Sequence, residues 1–247
     1  MSSLKAAFIN ELYKISKKKK IFVAAILCLA VIIAGAVISC IANNFLGINI
    51  TGRGEFSVMM LPVFVSVIIP LFTTFICIEM FCGEFANNTI KTTLLSPATR
   101  LTIFTAKIGA MAVFILAMLV FSMLVSFAAA VIIRHTEYNI LKILTTYLIS
   151  FLPLLVFGLM TATVSNIAKG SGSAFMLCII VYLVFKVLEL LNPMYASLFF
   201  TSEMSMYVLL NAPLISIAKL LRLMAILAGY LIALFSCGYL MFERKSI

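Results

Sequence analysis

Ile21-Phe-Val-Ala-Ala-Ile-Leu-Cys-Leu-Ala-Val-Ile-Ile-Ala-Gly-Ala-Val-Ile-Ser-Cys-Ile-Ala42 is an apolar run without a single charge. As a helix it covers about 33 Å at 1.5 Å per residue, enough to cross a hydrocarbon core of roughly 30 Å. Five further runs of membrane length follow, at 58–78, 106–133, 143–165, 173–190 and 223–242. Their lengths favour helices, since a barrel strand would need only about ten alternating residues. A signal peptide is the competing reading of the first run, but its length and the five later runs argue for an uncleaved helix.

Composition agrees. Hydrophobic residues make up 64% of the 247 and charged residues only 11%, against about 25% charged in soluble domains. Asp is absent, and all eight acidic residues are Glu. A soluble fold of this length leaves too much surface exposed to hide so much apolar material. The expected fold is therefore an all-α integral membrane protein of six transmembrane helices in one domain, 1–247. Within it we expect an interfacial elbow helix at 1–20, helices one and two at 21–80 and a cytosolic connecting loop at 81–106. Helices three to five should follow at 107–191 and the last helix and tail at 223–247; between them 192–222 is too broken by Pro193 and Pro213 to span.

Charge gives the orientation. Lys5, Lys14, Lys17, Lys18, Lys19 and Lys20 precede the first span, Lys91, Arg100 and Lys107 lie in the second connection, and Lys169 lies in the fourth. Arg244 and Lys245 follow the last span. The positive-inside rule then places both termini in the cytoplasm. Before the first span, Leu4, Phe8, Leu12 and Ile15 recur at spacings of one helical turn, which predicts a helix lying along the inner interface with its lysines toward anionic lipid headgroups. The net charge of +10 reads as an orientation and lipid-surface signal. Nucleic acid is not an expected partner, because no basic face carries interleaved aromatics.

Several chemistries are excluded by the residues present. His135 is the one histidine and cannot complete a metal site alone. The six cysteines form no Cys-x-x-Cys pair and read as small apolar filler. Lys169-Gly-Ser-Gly-Ser173 has its Lys on the wrong side of the glycines for a phosphate-binding Walker loop. No nucleotide site or catalytic constellation is recognisable.

The polar insertion Phe81-Cys-Gly-Glu-Phe-Ala-Asn-Asn-Thr-Ile-Lys-Thr-Thr-Leu-Leu-Ser-Pro-Ala-Thr-Arg100 stands apart. Phe85, Ile90, Leu94 and Leu95 give it one apolar side, and Pro97 should end any helix within it. A short surface helix and an ordinary connecting loop are equally compatible with these residues. Glu84-Phe-Ala-Asn-Asn-Thr-Ile-Lys91, then Leu94-Leu-Ser-Pro-Ala-Thr-Arg100 and Lys107, resembles the loop between the second and third helices of type-2 ABC-transporter permeases. Asn88 departs from the glycine that many of those proteins carry before the Thr. The resemblance implies a coupling helix seated on a cytosolic ATP-binding-cassette subunit, with Glu84, Asn88, Thr89, Lys91, Pro97 and Arg100 as coupling residues. It also implies that ATP and Mg are held by that partner, present in two copies. A second permease chain and a bacterial plasma-membrane setting follow from the same resemblance. The segment 192–222 likewise resembles the short re-entrant outer segment that type-2 ABC-transporter permeases place before their last span.

Pro62 and Pro70 interrupt the second run and Pro153 the fourth. Proline frees carbonyls and permits bending in a membrane helix, so Phe64, Phe72, Thr73, Thr74 and Phe75 on the second run are the candidate cargo pathway. Such a wall suits an amphipathic or lipophilic cargo, whether peptide, antibiotic or lipid-like. Small-residue stripes at Ser122, Ser126 and Ala130 and at Ala225, Gly229, Ala233 and Cys237 read as helix-packing seams. Lys186 and Glu189 share a helix face and are expected to pair near the outer surface. An ion-coupled carrier and a non-transporting membrane scaffold are the alternative functions.

Overall fold

The structure, a computed structural model, describes residues 2–45, 56–84, 99–133, 139–168, 170–191, 199–204 and 217–244. Among them every regular element is helical. Helix α1 spans Ser2–Ser16 and α2 Lys19–Phe45. Helices α3 (Phe56–Val63) and α4 (Ile69–Ile78) are joined by a π-wound segment at Phe64–Ile68, and a second one at Glu79–Gly83 prolongs the rod toward Glu84. The remaining helices are α5 (Arg100–Ile132), α6 (Ile140–Ile167), α7 (Ser171–Leu191), α8 (Phe200–Glu203) and α9 (Ile217–Arg244).

Six of these are long and apolar enough to cross a membrane: α2, the α3–α4 rod, α5, α6, α7 and α9. Some boundaries differ from the sequence reading. Residues 81–84 continue the rod instead of opening a loop, with Phe81 and Cys82 buried. Helix α5 starts at Arg100, because the Thr99 hydroxyl accepts from the Thr102 N–H at 3.2 Å and caps it. Lys107 therefore lies two turns inside a helix, not at the edge of the connection. Helix α9 starts at Ile217, six residues before the bound expected for the last helix at 223.

The rod and α6 form the centre, with 67% and 61% of their spanning windows buried, whereas α2, α7 and α9 are peripheral at 17%, 11% and 11%. Prolines shape that centre. Pro70 has no N–H to give the Ser66 carbonyl; the chain widens into π winding just before it, and the Tyr182 hydroxyl of α7 donates to Ser66 O at 3.2 Å instead. Tyr147 on α6 donates to the Ser57 carbonyl at 3.0 Å and lies 3.1 Å from the Ser126 hydroxyl, which ties α3, α5 and α6 together.

The stripe Ser122, Ser126 and Ala130 is buried as expected of a seam. The stripe on the last helix is not. Ala225, Gly229, Ala233 and Cys237 are exposed, because α9 meets the bundle through Leu223, Leu227 and Phe242. On that inner face Gly238 is the close approach: a Cβ there would stand 3.0 Å from the Thr163 hydroxyl and 3.2 Å from the Phe104 ring.

Two glycines of one helix should therefore behave differently. Gly238→Val is expected to cost about 2 kcal/mol through overpacking, read as a lowered thermal midpoint in detergent. Gly229→Val, where a Cβ meets nothing within 4 Å, should leave the fold of the chain unchanged in the same assay.

Candidate functional site

Helix α1 lies on α5 with Phe8 and Leu12 packed against the core and Ile15 buried. Gly109 on α5 admits this contact, since a Cβ there would meet the Phe8 ring at 3.1 Å. Glu11 falls on the same side of α1, three residues after Phe8 and four before Ile15, and its side chain is 3% exposed. Opposite it stands Lys107, whose side chain is 0% exposed.

Four charges close into a ring. Lys107 Nζ donates to Glu11 Oε2 at 3.2 Å and to Glu84 Oε2 at 2.7 Å. Lys14 Nζ donates to Glu11 Oε1 at 2.7 Å and to Glu84 Oε1 at 3.0 Å. Each carboxylate thus offers one oxygen to each ammonium. The third Lys107 proton goes to the Met80 carbonyl at 2.9 Å, in the π-wound end of the rod. All three donors of the lysine are placed, and the ring is neutral.

This arrangement favours the ionised forms of Glu84 and Lys14. Burial alone would lift the Glu84 carboxyl, but the Lys107 and Lys14 ammoniums outweigh it and keep the group below the usual carboxylate range. Burial would lower Lys14, yet its hydrogen bonds to Glu11 and Glu84 prevail and leave it above the usual lysine value. A buried ion is tolerated only with partners of this quality.

Of the expected coupling residues, Glu84 sits in the ring and Arg100 donates from Nη1 to the Glu243 carbonyl at the end of α9. Asn88, Thr89, Lys91 and Pro97 lie outside the described residues. The two ends of the insertion are thereby fastened to different helices: Glu84 to α1 and α5, Arg100 to α9. Of the expected pathway residues, Phe64, Phe72, Thr73 and Thr74 are buried in the core. Thr74 donates to the Pro70 carbonyl at 2.8 Å, while the Thr73 hydroxyl has no hydrogen-bond partner among the described residues. Phe75 borders a cleft and stacks on Phe175.

Two more charged groups flank the bundle. Glu79 pairs with Lys18 at 2.7 Å and with Lys20. Near the other end, Lys186 pairs with Glu189 at 3.1 Å, and the Thr201 hydroxyl of α8 donates to the same Glu189 oxygen at 3.0 Å. Lys186 also donates to the Thr201 carbonyl at 3.4 Å, so α8 is tied to α7. Sequence reasoning missed Glu11 and the burial of Lys107. The signal was there: Glu11 keeps the register of the α1 apolar stripe, and Lys107 keeps that of buried Ile103, Ala110 and Phe114.

Residues 7–189 match the family model described as ABC-2 family transporter protein. No curated protein matches the chain.

Removing one member of the ring leaves its opposite buried and unmatched. Lys107→Met should cost about 3 kcal/mol, and Lys14→Met, at a side chain 34% exposed, markedly less; thermal unfolding in detergent reads both. For pH, Glu84 is lowered, so its contribution is present above the ordinary value of about 4.3 and is lost as pH falls through its folded value. The melting temperature should therefore fall off below about pH 4, and Glu84→Gln should flatten that limb.

Proposed function

Because the chain belongs to the ABC-2 transporter family, we propose that it is the permease subunit of an ATP-binding-cassette exporter. Family membership supports the permease assignment and implies an ATPase subunit as partner. In this reading the partner, in two copies, binds ATP and Mg and grips the coupling segment that follows Glu84. A second permease chain completes the complex in the bacterial plasma membrane, with both termini cytoplasmic. The cargo is amphipathic or lipophilic: a peptide, an antibiotic or a lipid-like molecule.

The observation that carries this reading is how the coupling segment is fastened. A push on it reaches α5 through Glu84 and Lys107, α1 through Lys14, and α9 through Arg100. Charged hydrogen bonds of 2.7–3.0 Å between rigid helices pass on displacement with little slack. Motion at the partner is thus delivered to three helices at once, and the rod between them carries the prolines that permit bending. The carrier alternative is less well supported, because the acidic groups at this site are already paired with lysines of the chain itself.

Reconstitution of the chain with its ATPase subunit in liposomes tests the assignment. Glu84→Gln should retain the ATPase in a pull-down and its ATP hydrolysis while ATP-driven cargo efflux falls about tenfold, the size of one lost charged hydrogen bond. Efflux unchanged in a stably folded Glu84→Gln chain would overturn the role of Glu84. A wild-type chain that captures no ATPase would overturn the function.

A further inference from the structure

Besides the neutral ring, the same end of the bundle holds an open cleft of about 600 Å³ between the start of α2, the end of the rod and the start of α7. We propose that this cleft binds the phosphodiester headgroup of an anionic phospholipid. This inference does not rest on the transporter reading.

Charge comes first. The Glu79 carboxylate is shared by Lys18 at 2.7 Å and by Lys20, two ammoniums against one carboxylate, which leaves +1. Glu84 also borders the cleft, but its oxygens face Lys107 and Lys14 within the neutral ring. One positive charge is the complement of a phosphodiester, which carries one negative charge. Lys18, Lys20 and Glu79 keep side-chain exposures of 24%, 45% and 28%, so the ammoniums can turn toward an incoming anion without being unburied.

Shape and polarity fit the rest of a lipid. Phe75 and Phe175 stack with centroids 4.8 Å apart and planes 9° from parallel, and form an apolar wall. Lys20 Nζ lies 5.0 Å from the Phe75 centroid, so charge and aromatic face sit side by side as a headgroup and its glycerol would need. Gly172 leaves its part of the wall open, for a Cβ there would meet nothing within 4 Å. Beyond the cleft, α2 and α7 continue as peripheral, largely exposed apolar helices, the surroundings that acyl chains require. A basic pocket between helix ends beside a run of lysines is the arrangement that captures acidic headgroups.

The test is native mass spectrometry of the full chain in neutral detergent, titrated with phosphatidylglycerol or phosphatidylcholine. Retention of one phosphatidylglycerol in preference to phosphatidylcholine is expected. Lys18→Gln/Lys20→Gln should weaken it about thirtyfold, and Lys17→Gln/Lys19→Gln, on exposed residues outside the cleft lining, by less than about threefold. Equal losses in the two double variants would mean a diffuse basic surface and would overturn the site. So would equal binding of phosphatidylcholine, and displacement of phosphatidylglycerol by an equal concentration of inorganic phosphate would assign a soluble anion instead. If the cleft double variant does not fold, Glu79→Gln decides: with both lysines kept it should bind phosphatidylglycerol at least as tightly as wild type, and weaker binding would overturn the proposal.

Discussion

An ammonium with no solvent exposure has to be matched by the protein, and Lys107 is such an ammonium. Its position is set by α5, so the carboxylates that neutralise it must be brought to it. One comes from α1, as Glu11, and one from the end of the rod, as Glu84. Neither Glu could be left alone at that burial, so Lys14 closes the ring on its outer side. Three parts of the chain far apart in sequence are thereby held in one register. A lipid environment supplies no hydrophobic drive between helices, and polar matching of this kind carries correspondingly more of the specificity.

The rest of the architecture follows the same economy. The rod and α6 occupy the centre and carry Pro62, Pro70 and Pro153, where a carbonyl that a proline frees can meet protein instead of lipid. The Tyr182 hydroxyl at Ser66 is the clearest case. The two π-wound segments lie at the proline-bearing middle of the rod and at its charged end. Wide turns of this type often mark functional positions in helices. Here the second one presents the Met80 carbonyl to Lys107.

Much of the fold was legible from single residues, and the site only partly. Apolar run lengths place six helices correctly because burial in lipid demands continuous apolarity, whichever neighbour a helix has. They could not tell central helices from peripheral ones, since both are apolar all round. For the same reason the small residues of α9 read as a seam although Leu223, Leu227 and Phe242 form the contact face. Glu84 stands out in the sequence through its family-like surroundings, but not for the ion pairs with Lys107 and Lys14 that the structure shows. Lys107 counts with the second connection by charge, although its register with Ile103, Ala110 and Phe114 marks it as inward-facing; what was not legible is its pairing with Glu11. That pairing joins residues 96 apart in sequence, beyond the reach of any local pattern.

The two charged clusters at this end of the bundle differ in a way that separates their work. In the ring, two carboxylates face two ammoniums, the protons of Lys107 are all placed, and the Lys107 side chain has no solvent exposure. Such a cluster has nothing left to offer a ligand; it can hold or it can break, which suits a fastener between moving parts. The trio of Lys18, Lys20 and Glu79 is partly exposed and carries one uncompensated charge beside an aromatic wall. It can exchange a protein partner for an outside one with little desolvation. Lys18 and Lys20 flank the start of α2, directly after the helix that bears Glu11 and Lys14. Headgroup capture there would bias the position of α1 and, through the ring, the end of the rod at Glu84.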